Sequence, residues 1–199
     1  ILGRKIMKLK IYIPTCDSYL WLIKPFMFLF NKFWDDDIEV VYLGYNPPNF
    51  NLPKNCTFVS LGRDDNLKYY SDDLRKYFES IDDEYVIITV DDSFLVDYTN
   101  VNLYNTILKY LTINKNVGRV GLSRDLATRS NYYLDTIDGI KLVNASQEAS
   151  HRISCAWSLY KKEFIIKLLK PGRTPWSFED EGTLQSKKEK YNIISTALL

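Results

Sequence analysis

The stretch Glu84-Tyr-Val-Ile-Ile-Thr-Val-Asp-Asp-Ser-Phe-Leu-Val96 constrains this chain more than any other. Six β-branched and aromatic residues run into two adjacent carboxylates, Asp91 and Asp92, and apolar sequence resumes two positions later. A continuous apolar run of this length reads as a strand buried on both faces, as in a parallel sheet. Acidic residues at the carboxyl end of such a strand sit where open α/β sheets bind their ligands. Two carboxylates held together there repel each other unless something positive neutralises them, and a divalent cation that prefers hard oxygen ligands meets that need. The alternative is a simple turn, which Asp also favours.

Other acidic runs occur at Asp35-Asp36-Asp37, Asp64-Asp65, Asp72-Asp73 and Asp82-Asp83. The first two lie in polar, loop-like sequence. Ser71-Asp72-Asp73 reads as a helix start, where the helix dipole favours negative charge, and Asp82-Asp83 as a solvated turn. Only Asp91-Asp92 has strong apolar sequence on both sides, so only there must charge near a core be explained.

The 199 residues suit one domain with a substantial core, divided into a half of about 7–112 and a half of about 113–199. A net charge of +1 argues against general binding to a nucleic-acid backbone. Cys16, Cys56 and Cys155 show no paired spacing, which fits free thiols in a reducing, cytoplasmic compartment. His151 is the sole histidine, leaving little for a histidine-based metal cluster or a Ser-His-Asp triad. Residues 19–34 are nearly all apolar, yet the run is shorter than the ~20 residues a spanning helix needs and contains Lys24-Pro25. A buried or partly interfacial helix kinked at Pro25 is expected, with no transmembrane segment. Met7 offers a natural start.

The first half alternates strand and helix. Strands are expected at 9–15, 38–44, 56–61 and 84–90, and helices at 19–34, 71–80 and 101–111. This rhythm predicts a Rossmann-like, mostly parallel α/β sheet flanked by helices. The second half loses the rhythm. Strands are expected at 117–122, 139–143, 152–160 and 191–194, some antiparallel, with helices at 161–170 and 178–190.

A nucleotide diphosphate, held through a metal at strand ends, is the ligand such a half-sheet best explains. Thr15 and Asp17 end the first strand and could hydrogen-bond a base or ribose, though both are also good turn and capping residues. Tyr45 follows the second strand and could stack on a base. Arg75 could reach a phosphate or lie on the surface. No Gly-rich dinucleotide or phosphate-loop pattern is present. A second cluster, Thr174-Pro-Trp-Ser-Phe-Glu-Asp-Glu-Gly-Thr183, has Ser177 and Asp180 at capping-box spacing. Its bulky apolar residues would hold Glu179 and Asp180 in a fixed, partly dry place, where a carboxylate could take a proton from an acceptor hydroxyl. Arg152 and His151, at the start of a preceding strand, are candidate substrate contacts.

Taken together, Ile11-Tyr-Ile-Pro-Thr-Cys-Asp17, Asp91-Asp92-Ser93-Phe94, Arg152-Ile-Ser, Trp157 and Pro175-Trp-Ser-Phe-Glu179 resemble the GT-A-fold glycosyltransferases, notably the small soluble enzymes encoded by chlorella-type algal viruses. Such families hold Mn2+ or Mg2+ against the donor diphosphate through an Asp-x-Asp-type motif, whereas this chain reads Val90-Asp91-Asp92-Ser93. The resemblance implies a hexose moved from a UDP-sugar to a glycan or glycoprotein hydroxyl, without nucleic acid, in the host cytoplasm if the chain is viral. It implies Asp92 and Asp91 at the metal; Thr15, Asp17, Tyr45, Arg75 and Asp91 at the donor; Glu179 and Asp180 in catalysis; and Arg152 and Trp176 at the acceptor. Two other readings stay open: a nucleotidyltransferase acting on a sugar phosphate, and a non-catalytic carbohydrate-binding module.

Overall fold

The computed structural model describes residues 10–34, 37–63, 68–123 and 129–196. Met7, Leu9, Asp35, Asp36, Asp64 and Asp65 lie outside these. Among the described residues nine strands form one sheet: β1 (Lys10–Pro14), β2 (Glu39–Gly44), β3 (Cys56–Ser60), β4 (Tyr85–Ile88), β5 (Val117–Gly121), β6 (Asn131–Ile137), β7 (Ile140–Ala145), β8 (Ser158–Lys161) and β9 (Asn192–Thr196). The spatial order is β3-β2-β1-β4-β8-β5-β9-β7-β6. The block β3-β2-β1-β4 is parallel. Beyond it, β8 runs antiparallel to both β4 and β5, β9 returns parallel to β5, and the β6–β7 hairpin closes the far edge.

Helices cover both faces. Ile11, Ile13, Val40, Tyr42 and Ile87 pack against α1 (Ile23–Phe33) and α3 (Val101–Ile113). Their alternate neighbours Tyr12, Val41, Val86 and Ile88 pack against α2 (Tyr70–Ser80), α4 (Lys162–Leu168) and α5 (Pro175–Ser186). Alternation of side chains across the pleat thus feeds two cores from one strand, which is why the apolar runs are continuous.

Several elements differ from the sequence expectation. Residues 17–22 form a 3₁₀ turn ahead of α1, and Pro25 sits in the first turn of that helix. The first turn's N–H groups have no intrahelical acceptor, so Pro25 removes no bond and causes no kink. The strand expected over 152–160 is confined to Ser158–Lys161. Strand β6 carries mostly exposed residues and so gives no burial signal, although the turn that makes it is plain: Asp138 and Gly139 both have positive φ, 48° and 79°, as a two-residue hairpin turn of the mirror-image type requires. Helix α5 starts at Pro175, capped by Thr174, whose hydroxyl accepts from the Ser177 N–H while the Ser177 hydroxyl accepts from the Thr174 N–H. Strand β9 lies inside the sheet, between β5 and β7.

Arg152, expected at the acceptor, is instead only 1% exposed. Its Nε donates to Ser186 Oγ at 3.0 Å, and its Nη1 donates to the carbonyls of Ala145 and Ser146 at 2.8 and 2.7 Å. The guanidinium therefore ties the end of β7 to the end of α5. Truncation would take this donor from the buried Ala145 carbonyl, at about 1–3 kcal/mol, and leave a cavity where the side chain packs. Arg152→Ala is expected to lower the unfolding free energy by about 2–5 kcal/mol in urea titration, whereas a surface arginine would change it little.

Candidate active site

The carboxyl ends of β1, β2 and β4 meet at a cavity of about 400 Å³, as expected for the ligand crevice of an open α/β sheet. Backbone pairing continues past β1, with the Thr15 N–H donating to the Leu43 carbonyl at 2.9 Å, and past β4, with Thr89 donating to Tyr12 at 3.2 Å. Gly44 permits this closeness, since a Cβ there would lie 2.7 Å from the Phe58 ring and 3.0 Å from Thr15 Cγ2. After β4 the chain turns at Val90–Ser93, the Ser93 N–H donating to the Val90 carbonyl at 3.2 Å. The turn presents Asp91 to the cavity wall, where Thr15 Oγ1 donates to its Oδ2 at 2.7 Å. Asp92 is exposed beside it.

Trp157 fixes the far side of this turn. Its Nε1 donates to the Ser93 carbonyl at 3.0 Å and its ring stacks on Phe26. Its own carbonyl accepts from Leu122 at 2.7 Å. Burial raises the Asp91 carboxyl above its ordinary value; the Thr15 hydroxyl opposes this, and the neighbouring Asp92 charge adds to it. Leu43, Leu61, Leu74 and Val90 give the cavity apolar wall, Ser18 and Tyr45 add neutral polar groups, and no lysine or arginine among the described residues lines it.

Of the residues expected at the donor, Thr15, Tyr45 and Asp91 line this cavity. Tyr45 donates to Asp73 at 3.3 Å through its hydroxyl. Asp17 lies one turn further, accepting from the Asn46 backbone N–H at 3.0 Å and also from the Asn46 side chain. Arg75 is not brought here: it pairs with Glu79 on α2 at 2.9 Å, one helical turn away. Trp176, 68% exposed, stands at the cavity rim on the first turn of α5. Trp176, Glu179 and Asp180 occupy one face of α5 by their i, i+3, i+4 spacing. Glu179 Oε1 accepts the Cys155 N–H at 2.6 Å, binding α5 to the 152–157 segment, and Asp180 is exposed. His151 is exposed, with a left-handed φ of 51°.

Sequence reasoning passed over Tyr70 and Cys155, which form part of the cavity floor. The Tyr70 hydroxyl and Cys155 Sγ are 3.4 Å apart, and burial pushes the thiol up to about 12. Nothing in the linear pattern marks a buried thiol that only tertiary contact brings to the site.

Asp91 and Asp92 are hard-oxygen donors of the type Mg2+ and Mn2+ prefer. Among the described residues no group of three or more His, Cys, Asp or Glu side chains gathers as a ready ligand set. The pair fits a cation that takes one or two carboxylates and completes its shell with substrate phosphates and water.

No family model and no curated protein matches this chain. Among solved structures it is similar to the mannosyltransferase PcManGT of Pyrobaculum calidifontis, determined with GDP-mannose and Mn2+, at a TM-score of 0.52 and 16% identity over 90% of this chain and 51% of that one. It is also similar to residues 1–349 of Staphylococcus aureus TarS, at a TM-score of 0.56 and 12% identity over 96% and 57%. A third likeness is to a cytidylyltransferase of Leptospira borgpetersenii, at a TM-score of 0.52 and 12% identity over 93% and 74%. The chain spans about half the length of the mannosyltransferase. At these identities the likeness is one of fold: a Rossmann-like α/β sheet flanked by helices, shared with glycosyltransferases and a nucleotidyltransferase.

The raised Asp91 carboxyl has a consequence for stability. An acid whose folded value lies above its unfolded value of about 3.9 binds its proton more tightly when folded, so its ionisation destabilises the fold as pH rises. Asp91→Asn, which keeps an acceptor for Thr15, is expected to raise Tm at pH 7, with the gain disappearing below pH ~4, where both states are protonated. Thermal scans across this range check the sign.

Proposed function

We propose that this chain is a divalent-metal-dependent glycosyltransferase that moves a hexose from a UDP-glucose-like donor to a hydroxyl of a glycan or glycoprotein acceptor. The single observation that carries the reading is a carboxylate pair at the ends of parallel strands, beside a cavity whose described lining holds no cationic side chain. A pyrophosphate bound there needs positive charge, and the twin acids need the same. Asp92 and Asp91 would hold Mn2+ or Mg2+, which when bound supplies Lewis-acid stabilisation of the departing diphosphate.

The chain's own residues divide the remaining work. Thr15 orients the Asp91 carboxylate through its hydrogen bond. Tyr45 and Asp17, past the ends of β2 and β1, face the base and ribose, with the Asn46 contacts holding Asp17 in place. The apolar walls exclude water that would otherwise compete with the acceptor. Glu179, committed to the Cys155 N–H, sets the position of α5. Asp180, one residue on along the same face, takes the proton from the acceptor hydroxyl, and Trp176 at the rim stacks against the acceptor.

The cytidylyltransferase likeness favours a second reading, nucleotidyl transfer. Attack at an α-phosphate calls for cationic groups on the triphosphate, and the described cavity lining has none. Titration calorimetry with a panel of sugar nucleotides and nucleoside triphosphates, with Mn2+ and with chelator, separates the two. The expected result is binding and turnover of a UDP-sugar that vanish in chelator, with Asp92→Asn lowering turnover by about a hundredfold or more while the fold survives. Metal-independent turnover would remove the metal role, preference for a nucleoside triphosphate would establish nucleotidyl transfer, and UDP binding without sugar release would leave a binding module.

A further inference from the structure

The sheet-facing side of α1 is fully committed to the core through Ile23, Phe26, Met27 and Phe30. Its other side is unusual. Trp21 is 64% exposed and Phe28 68% exposed, and Lys24 and Lys32 are exposed with them. Lys24, Phe28 and Lys32 recur at i, i+4 and i+8 on α1 and form one stripe, and Trp21 is exposed on the 3₁₀ turn just ahead of it. A groove of about 640 Å³ runs beside it, between α1 and residues 50–53. Lys24 Nζ lies 4.4 Å from the centroid of the Phe50 ring, so a lysine stem lies along aromatic surface there. Among the described residues, the charged side chains that line the groove are Lys24 and Lys32.

We infer that this stripe is a peripheral docking surface for an anionic lipid bilayer. Exposed aromatics beside lysines on α1 and the turn ahead of it are the side chains that seat a segment in the headgroup region, the rings in the acyl boundary and the ammonium groups on lipid phosphates. Among the described residues no helix is long and apolar enough to cross a membrane, and α1 with 11 residues lies along the interface rather than through it. A bilayer is favoured over a protein partner because the aromatics carry cations of one sign at regular spacing. The inference does not depend on what the cavity transfers, but it orients the cavity. Tyr19, 50% exposed and lining the cavity, stands two residues before Trp21, so docking brings the cavity mouth toward acceptors held at the membrane.

The test is co-sedimentation of the chain with vesicles of phosphatidylcholine alone and of phosphatidylcholine mixed with phosphatidylglycerol. Binding is expected on the mixed vesicles, falling as salt is raised, with a blue shift of tryptophan emission that Trp21→Phe loses. Lys24→Ala and Lys32→Ala should each lower partitioning by about fivefold. The pair Trp21→Ala with Phe28→Ala should lower it by about tenfold or more. All four side chains are exposed, so unchanged far-UV circular dichroism and an unchanged urea unfolding midpoint separate lost docking from lost folding. Equal binding to neutral vesicles, no binding to mixed vesicles, or binding unaffected by the four substitutions would overturn the inference. So would a dimer in sedimentation equilibrium that the Trp21 and Phe28 substitutions dissolve, since the face would then join two copies of the chain.

Discussion

A hydrogen bond of 2.7 Å from Thr15 to Asp91 joins the ends of β1 and β4 and sets the geometry on which the site depends. Ile11–Ile13 and Tyr85–Ile88 are buried on each face, and the polar tips of Tyr12 and Tyr85 are already bonded, to Asp83 and to the Leu111 carbonyl. Chemistry can begin only where the apolar run stops, and the two strands stop side by side. Gly44 keeps β2 level with them, and Trp157 anchors the turn behind Asp91 through Ser93. The result is a carboxylate whose ionisation burial disfavours, held in place by a neutral hydroxyl. That is an energetic cost maintained at one point in the molecule, of a kind that an opposite charge relieves.

The second half of the chain supports this point from the opposite side. Antiparallel β8 lies against β4 and delivers Trp157 to the turn and Cys155 to the cavity floor. Two buried arginines stabilise the irregular segment ahead of it. Arg119 donates to the Arg152 carbonyl and to Ser158, and Arg152 donates to the carbonyls of Ala145, which ends β7, and of Ser146. Loops cannot normally be buried because their backbone groups would go unpaired, and guanidinium donors are what make burial possible here. The site is therefore built on a rigid parallel half and closed by an arginine-braced one.

Much of this was legible in the linear chain, and the limits of legibility have physical causes. The strand before Asp91-Asp92, the βαβ rhythm of residues 10–113 and the helix ended by Pro171-Gly172 follow from apolar periodicity and turn chemistry. Strand β6 escaped because an exposed edge strand has no buried face to impose alternation. The strand expected over 152–160 was an over-reading of apolar content that is buried as a braced loop. Arg152 and Arg75 are both charged and near candidate segments, yet one is enclosed by carbonyls and the other pairs along its own helix. A sequence gives the charge of an arginine but not its partner.

The sequence by itself determined that this is an α/β protein with a sheet covered on both faces and with acids at the end of a central strand. Local steric preference and the burial of apolar surface act on neighbouring residues, and their signals are written in short-range spacing. Only the tertiary structure decided that Thr15 meets Asp91 across 76 positions, that Cys155 and Tyr70 floor the same cavity, and that the apolar run after β1 buries one face while baring Trp21 and Phe28 on the other. Those outcomes depend on contacts between segments distant along the chain. Their free energy comes from which surfaces the whole fold removes from water, and no local window contains that information.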